Sequence, residues 1–389
     1  MLIRNLSLIL SLISISSTSA FTPSSSPALT LKTTQNALTS TLKVSPSDAA
    51  SELLYQEQEN ILINRGIFEQ ELISNNVSEL QPTKVKVRGA GSAGGFSSKS
   101  TKKSKGITQP EGKVYSQHLK EQGVVRIDNI LKASTAKKLR KYVYELREIS
   151  TKEVEDENNS ITSLDRFANV LLKTNRCDLT LPLGQANTDA LIDALAEAIL
   201  DSPVGSTIAA TFGEDAVLHE LSTLISDKGS QRQNVHPDTP YLEHHPDPVL
   251  YTCFIALQDV ELDMGPTTWY PNTHTKEAHE VFKAGGEGKD DLLANTPAVL
   301  GTLKKGSCAI FDSRCLHCGT SNQSAKDMSR ALFYFSFKCP KVGNPGNPAS
   351  IRREIGGAML SLKDIANDLE SRRKKNGLPL LDQIGKRLK

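Results

Sequence analysis

The rhythm of apolar and polar positions changes along the 389-residue chain. Between Asp48 and Leu80, Leu53, Leu54, Ile61, Leu62, Phe68, Leu72 and Ile73 recur at roughly helical spacing, which predicts a helix over 48–80. A folded core then begins near Val114. Val124 to Ile127 reads as a short strand, followed by a helix in which Ser134 or Thr135 caps the first turn and Leu139, Val143 and Leu146 share one face. A second helical region is predicted between Thr188 and Ile225. After Gln231 the texture changes to strands and turns. VLYTCFIALQD (Val249 to Asp259), SCAIFD (Ser307 to Asp312) and RALFYFSF (Arg330 to Phe337) are rich in β-branched and aromatic residues, with Gly and Pro between them. A last helix around Leu362, Ile365 and Leu369 stops near Gly377 and Pro379, before a basic tail. Helices first and strands afterwards predict an α+β fold.

Composition changes this picture at the two ends. With 38% hydrophobic and 23% charged residues the chain is of ordinary globular make-up. The net charge of +2 conceals a basic excess in two flanks, Lys84 to Lys105 and Arg352 to Lys389. Neither flank interleaves aromatics, so both read as solvated tails and no nucleic-acid partner is expected. Residues 1–20 carry Arg4, an apolar stretch from Leu6 to Ile15, and small residues at Ser19 and Ala20, the make-up of a signal peptide. Residues 21–47 are rich in Ser and Thr and contain no acid, which is transit-segment composition. Together they resemble the bipartite plastid presequence of algae with secondary plastids, such as diatoms; the alternative is secretion. No later stretch is apolar for long enough to predict a membrane span. Residues 48–106 are read as a helical segment and a Gly/Ser/Lys linker, 107–345 as the main domain, and 346–389 as a helical basic tail. Gly89, Gly91 and Gly94 have GxGxxG spacing, but no amphipathic helix follows to hold a pyrophosphate. Six cysteines crowd late in the chain and are read as reduced, and the lone CxxC of Cys315 and Cys318 is weak support for zinc.

Candidate chemistry lies in HPDTPYLEHHPDP, which spells His-Pro-Asp at His236 to Asp238 and again at His245 to Asp247. In an extended segment residues i and i+2 project to one side, so either triplet can present a His and an Asp to one ion. The second stands behind Glu243 and His244 and before Pro248, and reads as loop. Further along, His317 lies just beyond a strand and Arg330 opens the next. Two His and one carboxylate on one side of an iron leave positions for a chelating keto acid and for O₂. An Arg fork can clamp the far carboxylate of 2-oxoglutarate in a bidentate way that Lys cannot reproduce. His236, Asp238, His317 and Arg330 supply these residue types in a suitable order.

The stretches QNVHPDTPY, ALQDVELDMGPTTWYPNTH, HCGTSNQS and SRALFYFSF resemble the phytanoyl-CoA dioxygenase family over about residues 113–340, with Asp259, Gly265, Pro266, Pro271 and His274 patterned between the two metal motifs. The resemblance implies a double-stranded β-helix (jelly-roll, cupin-like) core with flanking helices. It also implies an Fe(II)- and 2-oxoglutarate-dependent dioxygenase, with His236, Asp238 and His317 as metal ligands and Arg330 on the oxoglutarate. O₂ would be the second cosubstrate and ascorbate a supporting reductant. The sequence departs from the family where Leu332 replaces a hydroxyl residue after the Arg, and where the gap from His317 to Arg330 is longer. Asp238 argues against a halogenating variant, which needs a small residue there. The expected reaction is oxidation of a C–H bond of a small molecule, lipid- and isoprenoid-derived compounds being among the candidates; the oligomeric state is left open. Two other readings stand beside it: a catalytically silent β-helix binding protein, and a zinc hydrolase on the same three ligands. Of the other histidines, His118 and His219 are expected in helices, while His274 and His279 flank the turn after Pro271, with His274 a further candidate for the pocket wall. Trp269 and Tyr241 are candidate pocket walls or core aromatics.

Overall fold

The computed structural model describes residues 74–85, 106–171, 173–183, 189–352 and 360–374. The presequence, the expected helix up to residue 73, most of the linker with its glycine motif, and the tail beyond 374 lie outside them. The strands are β1 (Val77–Glu79), β2 (Val124–Ile127), β3 (Phe167–Ala168), β4 (Arg176–Thr180), β5 (Val217–Ser226), β6 (Leu250–Ala256), β7 (Thr267–Trp269), β8 (Ala298–Leu300), β9 (Cys308–Asp312), β10 (His317–Gly319) and β11 (Arg330–Lys338). The helices are α1 (Pro110–Gln122), α2 (Ala133–Glu155), α3 (Asp189–Ala196), α4 (Pro203–Phe212), α5 (Lys276–Ala284), α6 (Gly286–Asn295) and α7 (Leu362–Lys374). A large sheet runs β2-β9-β6-β11-β5-β4-β3 and a small one β1-β8-β7-β10. Strands distant in sequence lie side by side in both sheets, and the result is a jelly roll with helices on one side.

The strand β11 shows why its sequence is an unbroken apolar run. Ala331, Phe333, Phe335 and Phe337 pack in the cluster that holds Leu139, Leu195 and Ile365 of the helices, while Leu332 and Tyr334 pack with Phe254, Trp269 and Phe311 between the sheets. A sheet buried on both faces loses the apolar-polar alternation of a half-exposed one. Each fully buried phenylalanine contributes about 1.5–3 kcal/mol, so this central strand is a main source of stability.

The structure corrects four sequence expectations. Residues 77–79, expected to be helical, form β1, paired in parallel with β8. Val217–Ser226, expected at the end of a helical region, is the long strand β5 between β11 and β4. Its alternate residues meet two buried layers, which a helical spacing of leucines imitates over so short a stretch. The helix α2 begins at Ala133 without a side-chain cap of its own. Instead Glu197 reaches across, accepting from the Lys132 amide at 2.8 Å and the Thr135 hydroxyl at 2.9 Å, which places an acid at the positive end of the helix. Finally, His219 lies in β5 rather than in a helix.

The turn from α1 into β2 shows a glycine requirement. Gly123 has φ of 79° and caps the helix through its N–H to the Leu119 carbonyl, and a Cβ there would lie 2.6 Å from His274 Nδ1. His274 Nε2 meets the Lys120 carbonyl at 3.0 Å, so this histidine packs the turn, away from the cavity described below.

Candidate metal centre

His317 opens β10, whose neighbour on one side is β7. On its other side, His236 and His317 exchange two backbone hydrogen bonds, each 2.9 Å, so the first His-Pro-Asp triplet lies against the free edge of the small sheet. The Asp238 and Thr239 amides both donate to the Ser313 carbonyl, at 2.8 and 3.1 Å, and the Thr239 and Ser313 hydroxyls are 2.6 Å apart. Backbone pairing thus sets where the three side chains point.

The imidazoles are held by their Nδ1 atoms, which meet the Asn234 carbonyl at 2.8 Å for His236 and the Cys315 carbonyl at 2.9 Å for His317. A carbonyl only accepts, so each Nδ1 is assigned the proton and each Nε2 is left with its lone pair. Asp238 Oδ1 lies 3.8 Å from Nε2 of His236 and 3.6 Å from Nε2 of His317, and ligand atoms of the three residues all fall within 4.8 Å of one another. No other such trio of His, Cys, Asp or Glu is present among the described residues. Burial pushes both histidines down to about 4, His236 with help from its histidine neighbour, so at neutral pH both are uncharged and ready to ligate. Burial pushes Asp238 up, the direction expected of a carboxylate lacking a cation. A divalent ion would relieve this.

The three open onto a cavity of about 460 Å³ between the sheets. Behind it, along one row of the large sheet, Arg176 of β4, Ser226 of β5 and Arg330 of β11 stand in register. Arg330 is fully buried; its Nη2 donates to Ser226 Oγ at 3.0 Å, while Nε and Nη1 have no partner. Burial and the Arg176 charge push its guanidinium down to about 9. A Cβ on Gly319, a cavity-lining residue two positions after His317, would be 3.6 Å from Arg330 Nη2. The glycine is required by Gln233, whose Oε1 would be 2.7 Å from that Cβ and accepts from the Gly319 amide at 3.0 Å. Arg176 spans from Ser226 Oγ, at 3.3 Å, to the Gln231 carbonyl, at 2.7 Å.

The remaining candidates take structural places. The second triplet precedes β6; His245 Nδ1 turns back to the Asp247 carbonyl at 3.2 Å, and Asp247 is exposed. Trp269 is core between the sheets, Tyr241 lies under the Arg314 guanidinium, and neither lines the cavity. His279 Nε2 bonds the Arg314 carbonyl at 2.7 Å, and His118 is on α1. Leu332 joins the apolar cluster between the sheets. Cys315 and Cys318 are buried free thiols. Three residues at or behind the cavity went unread in the sequence: Asp178 and Glu220, which line it, and Arg176 beside Arg330. Their signal was a charge set among apolar neighbours, in RCDLTL and in VLHELSTLI.

Two histidines and an aspartate converging inside a jelly roll, with a buried arginine behind them, define the metal- and 2-oxoglutarate-dependent oxygenase class. Residues 119–331 match the phytanoyl-CoA dioxygenase family, and the chain belongs to that family and is a 2-oxoglutarate-dependent oxygenase. Among solved structures it is similar to the non-haem α-ketoglutarate-dependent carbocyclase SnoK from nogalamycin biosynthesis, at 17% identity over 63% of this chain and 90% of that one, with a TM-score of 0.41. It is also similar to HygX from Streptomyces hygroscopicus with nickel and 2-oxoglutarate bound, at 11% identity over 62% and 95%, TM-score 0.40. EctD from S. alaskensis with bound Fe is 15% identical over 64% and 83%, TM-score 0.42. No curated protein matches the chain in sequence.

Proposed function

We propose that the protein oxidises a C–H bond of a small molecule, with hydroxylation the expected outcome, using Fe(II) held by His236, Asp238 and His317. Fe(II), 2-oxoglutarate and O₂ together supply the oxidising power, the keto acid being converted to succinate and CO₂. The chain's own residues bind, orient and exclude water. His236 and His317 offer Nε2 because their Nδ1 atoms are committed to carbonyls, and Asp238 adds the charge. Arg330 is suited to the distal carboxylate of 2-oxoglutarate through Nε and Nη1, the two atoms without partners. Phe254, Leu224 and Val170 give the cavity apolar walls.

One observation carries the reading. A fully buried guanidinium with two orphaned nitrogens is costly unless an anion arrives. A zinc hydrolase leaves it without a role, and succinate release separates an oxygenase from a silent binding protein. The test is succinate formation by the full chain given Fe(II), ascorbate and 2-oxoglutarate, with and without plastid extract. Metal analysis after anaerobic reconstitution separates iron from zinc. No succinate above the metal-free control, from chain proven to hold iron, refutes the proposal.

The presequence supports a plastid address, with secretion the alternative. No helix among the described residues is long and apolar enough to cross a membrane. A fusion of residues 1 to about 45 to a fluorescent protein should reach the plastid of a diatom-like cell, and fluorescence in the medium would favour secretion.

A further inference from the structure

The same cavity carries two more acids besides Asp238. Asp178 and Glu220 line it, and both are more than nine-tenths buried. Tyr334 donates to Asp178 Oδ2 at 2.6 Å, which fixes the carboxyl and leaves Oδ1 without a partner. Asn347 Nδ2 donates to Glu220 Oε1 at 2.9 Å. In register with Glu220 stand Ser336, whose hydroxyl faces the Glu220 carboxyl, and then Thr252, whose buried hydroxyl has no partner and which lines the cavity. No lysine, arginine or histidine pairs with either carboxyl among the described residues. Along β5 the row of Glu220 lies six residues from the basic row at Ser226, roughly 20 Å at about 3.3 Å per residue, while Asp178, opposite Leu224, lies two residues from that basic row.

An isoprenoid or acyl chain in that space would strand two carboxyls and the Thr252 hydroxyl against hydrocarbon, at a cost of several kcal/mol. A second dicarboxylate would be repelled. An ammonium or guanidinium group brings three to five N–H donors and a positive charge, which matches a lining whose charged groups are carboxyls. We infer that Asp178 and Glu220 are specificity-determining residues that bind a cationic nitrogen group of the substrate, so the oxidised molecule is an amine- or guanidine-bearing compound rather than a lipid. Burial pushes Asp178 up to about 7 and Glu220 up to about 8, as expected of acids that await a counter-charge. This deepens the oxygenase reading and rests on it.

The test is calorimetry on the metal-loaded full chain, under exclusion of O₂ and with 2-oxoglutarate present, using pentylamine, 1-pentanol, pentanoate and geraniol as probes. Pentylamine should bind at least about tenfold tighter than the other three, a difference of about 1.4 kcal/mol. The isosteric variants Asp178→Asn and Glu220→Gln should each cut pentylamine affinity about tenfold while 2-oxoglutarate affinity stays within about twofold. Both variants should also melt higher than the parent without probe, because each removes a buried, unpaired acid. Three results would overturn the inference: geraniol or pentanol binding as tightly as the amine, amine affinity unchanged in the variants, or variants that melt lower with the amine still bound. Failure of 2-oxoglutarate itself to bind would instead defeat the oxygenase reading and leave the charge preference to be scored separately.

Discussion

The two His-Pro-Asp triplets are the same three residues nine positions apart, and they have opposite fates. At the first, two mutual backbone hydrogen bonds bind His236 to His317, and two amides tie Asp238 and Thr239 to Ser313. Its side chains are thereby aimed at a third ligand inside a cavity. At the second, His245 donates its backbone N–H only to Leu242, three residues before it, and Asp247 faces solvent. A ligand motif becomes a site when the backbone that carries it is locked to a partner bearing the remaining ligand. Residue type alone does not suffice.

The contrast breaks first at the metal. Asp238→Ala should weaken Fe(II) binding by at least about 100-fold, beyond what loss of a supporting hydrogen bond costs, whereas Asp247→Ala should leave it within about twofold. Metal titration of both variants settles it, and equal losses would overturn the assignment. The next largest effect separates the arginine of each region. Arg314 pairs with buried Asp312 through Nη2 at 2.7 Å and holds the second triplet's loop by donating to the Pro246 carbonyl at 2.8 Å. Arg314→Gln strands Asp312 and should cost about 3–5 kcal/mol in denaturant unfolding, with little effect on oxoglutarate affinity in chain that remains folded. Arg330→Gln should behave in the opposite way. It removes a charge-assisted contact of about 1.5–3 kcal/mol, so 2-oxoglutarate affinity should fall about tenfold to a hundredfold while Fe(II) is retained. Succinate formed across an oxoglutarate series measures this, and an unchanged dependence would move the anchor elsewhere. The smallest effect is at the tether of the first triplet. Ser313→Ala leaves the buried Thr239 hydroxyl without its 2.6 Å partner and should cost about 1 kcal/mol of stability, with only a minor loss of metal affinity.

Much of the site was legible because its chemistry demands particular side chains: His236, Asp238, His317 and Arg330 stand out wherever the chain is read. So did the strands around Val249, Ser307 and Arg330, whose apolar runs are long enough to mark a sheet buried on both faces. The strand β5 was misread, because a few leucines at mixed spacing satisfy a helix and a doubly buried strand equally well. The cap of α2 was misplaced because its acceptor, Glu197, lies 62 residues away from Thr135. Asp178 and Glu220 were passed over, since an isolated acid in a strand usually faces water.

The sequence by itself determined the family, the oxygenase class and the candidate ligands, because metal coordination and carboxylate clamping depend on residue chemistry and order. Only the tertiary structure decided that the first triplet converges with His317, which arginine lies buried without a counter-charge, and that the acids of β4 and β5 share a cavity with the candidate ligands. Those are matters of register and burial: a strand shifted by one residue turns every side chain to the other face, and the cost of an unpaired charge exists only where the fold has removed water.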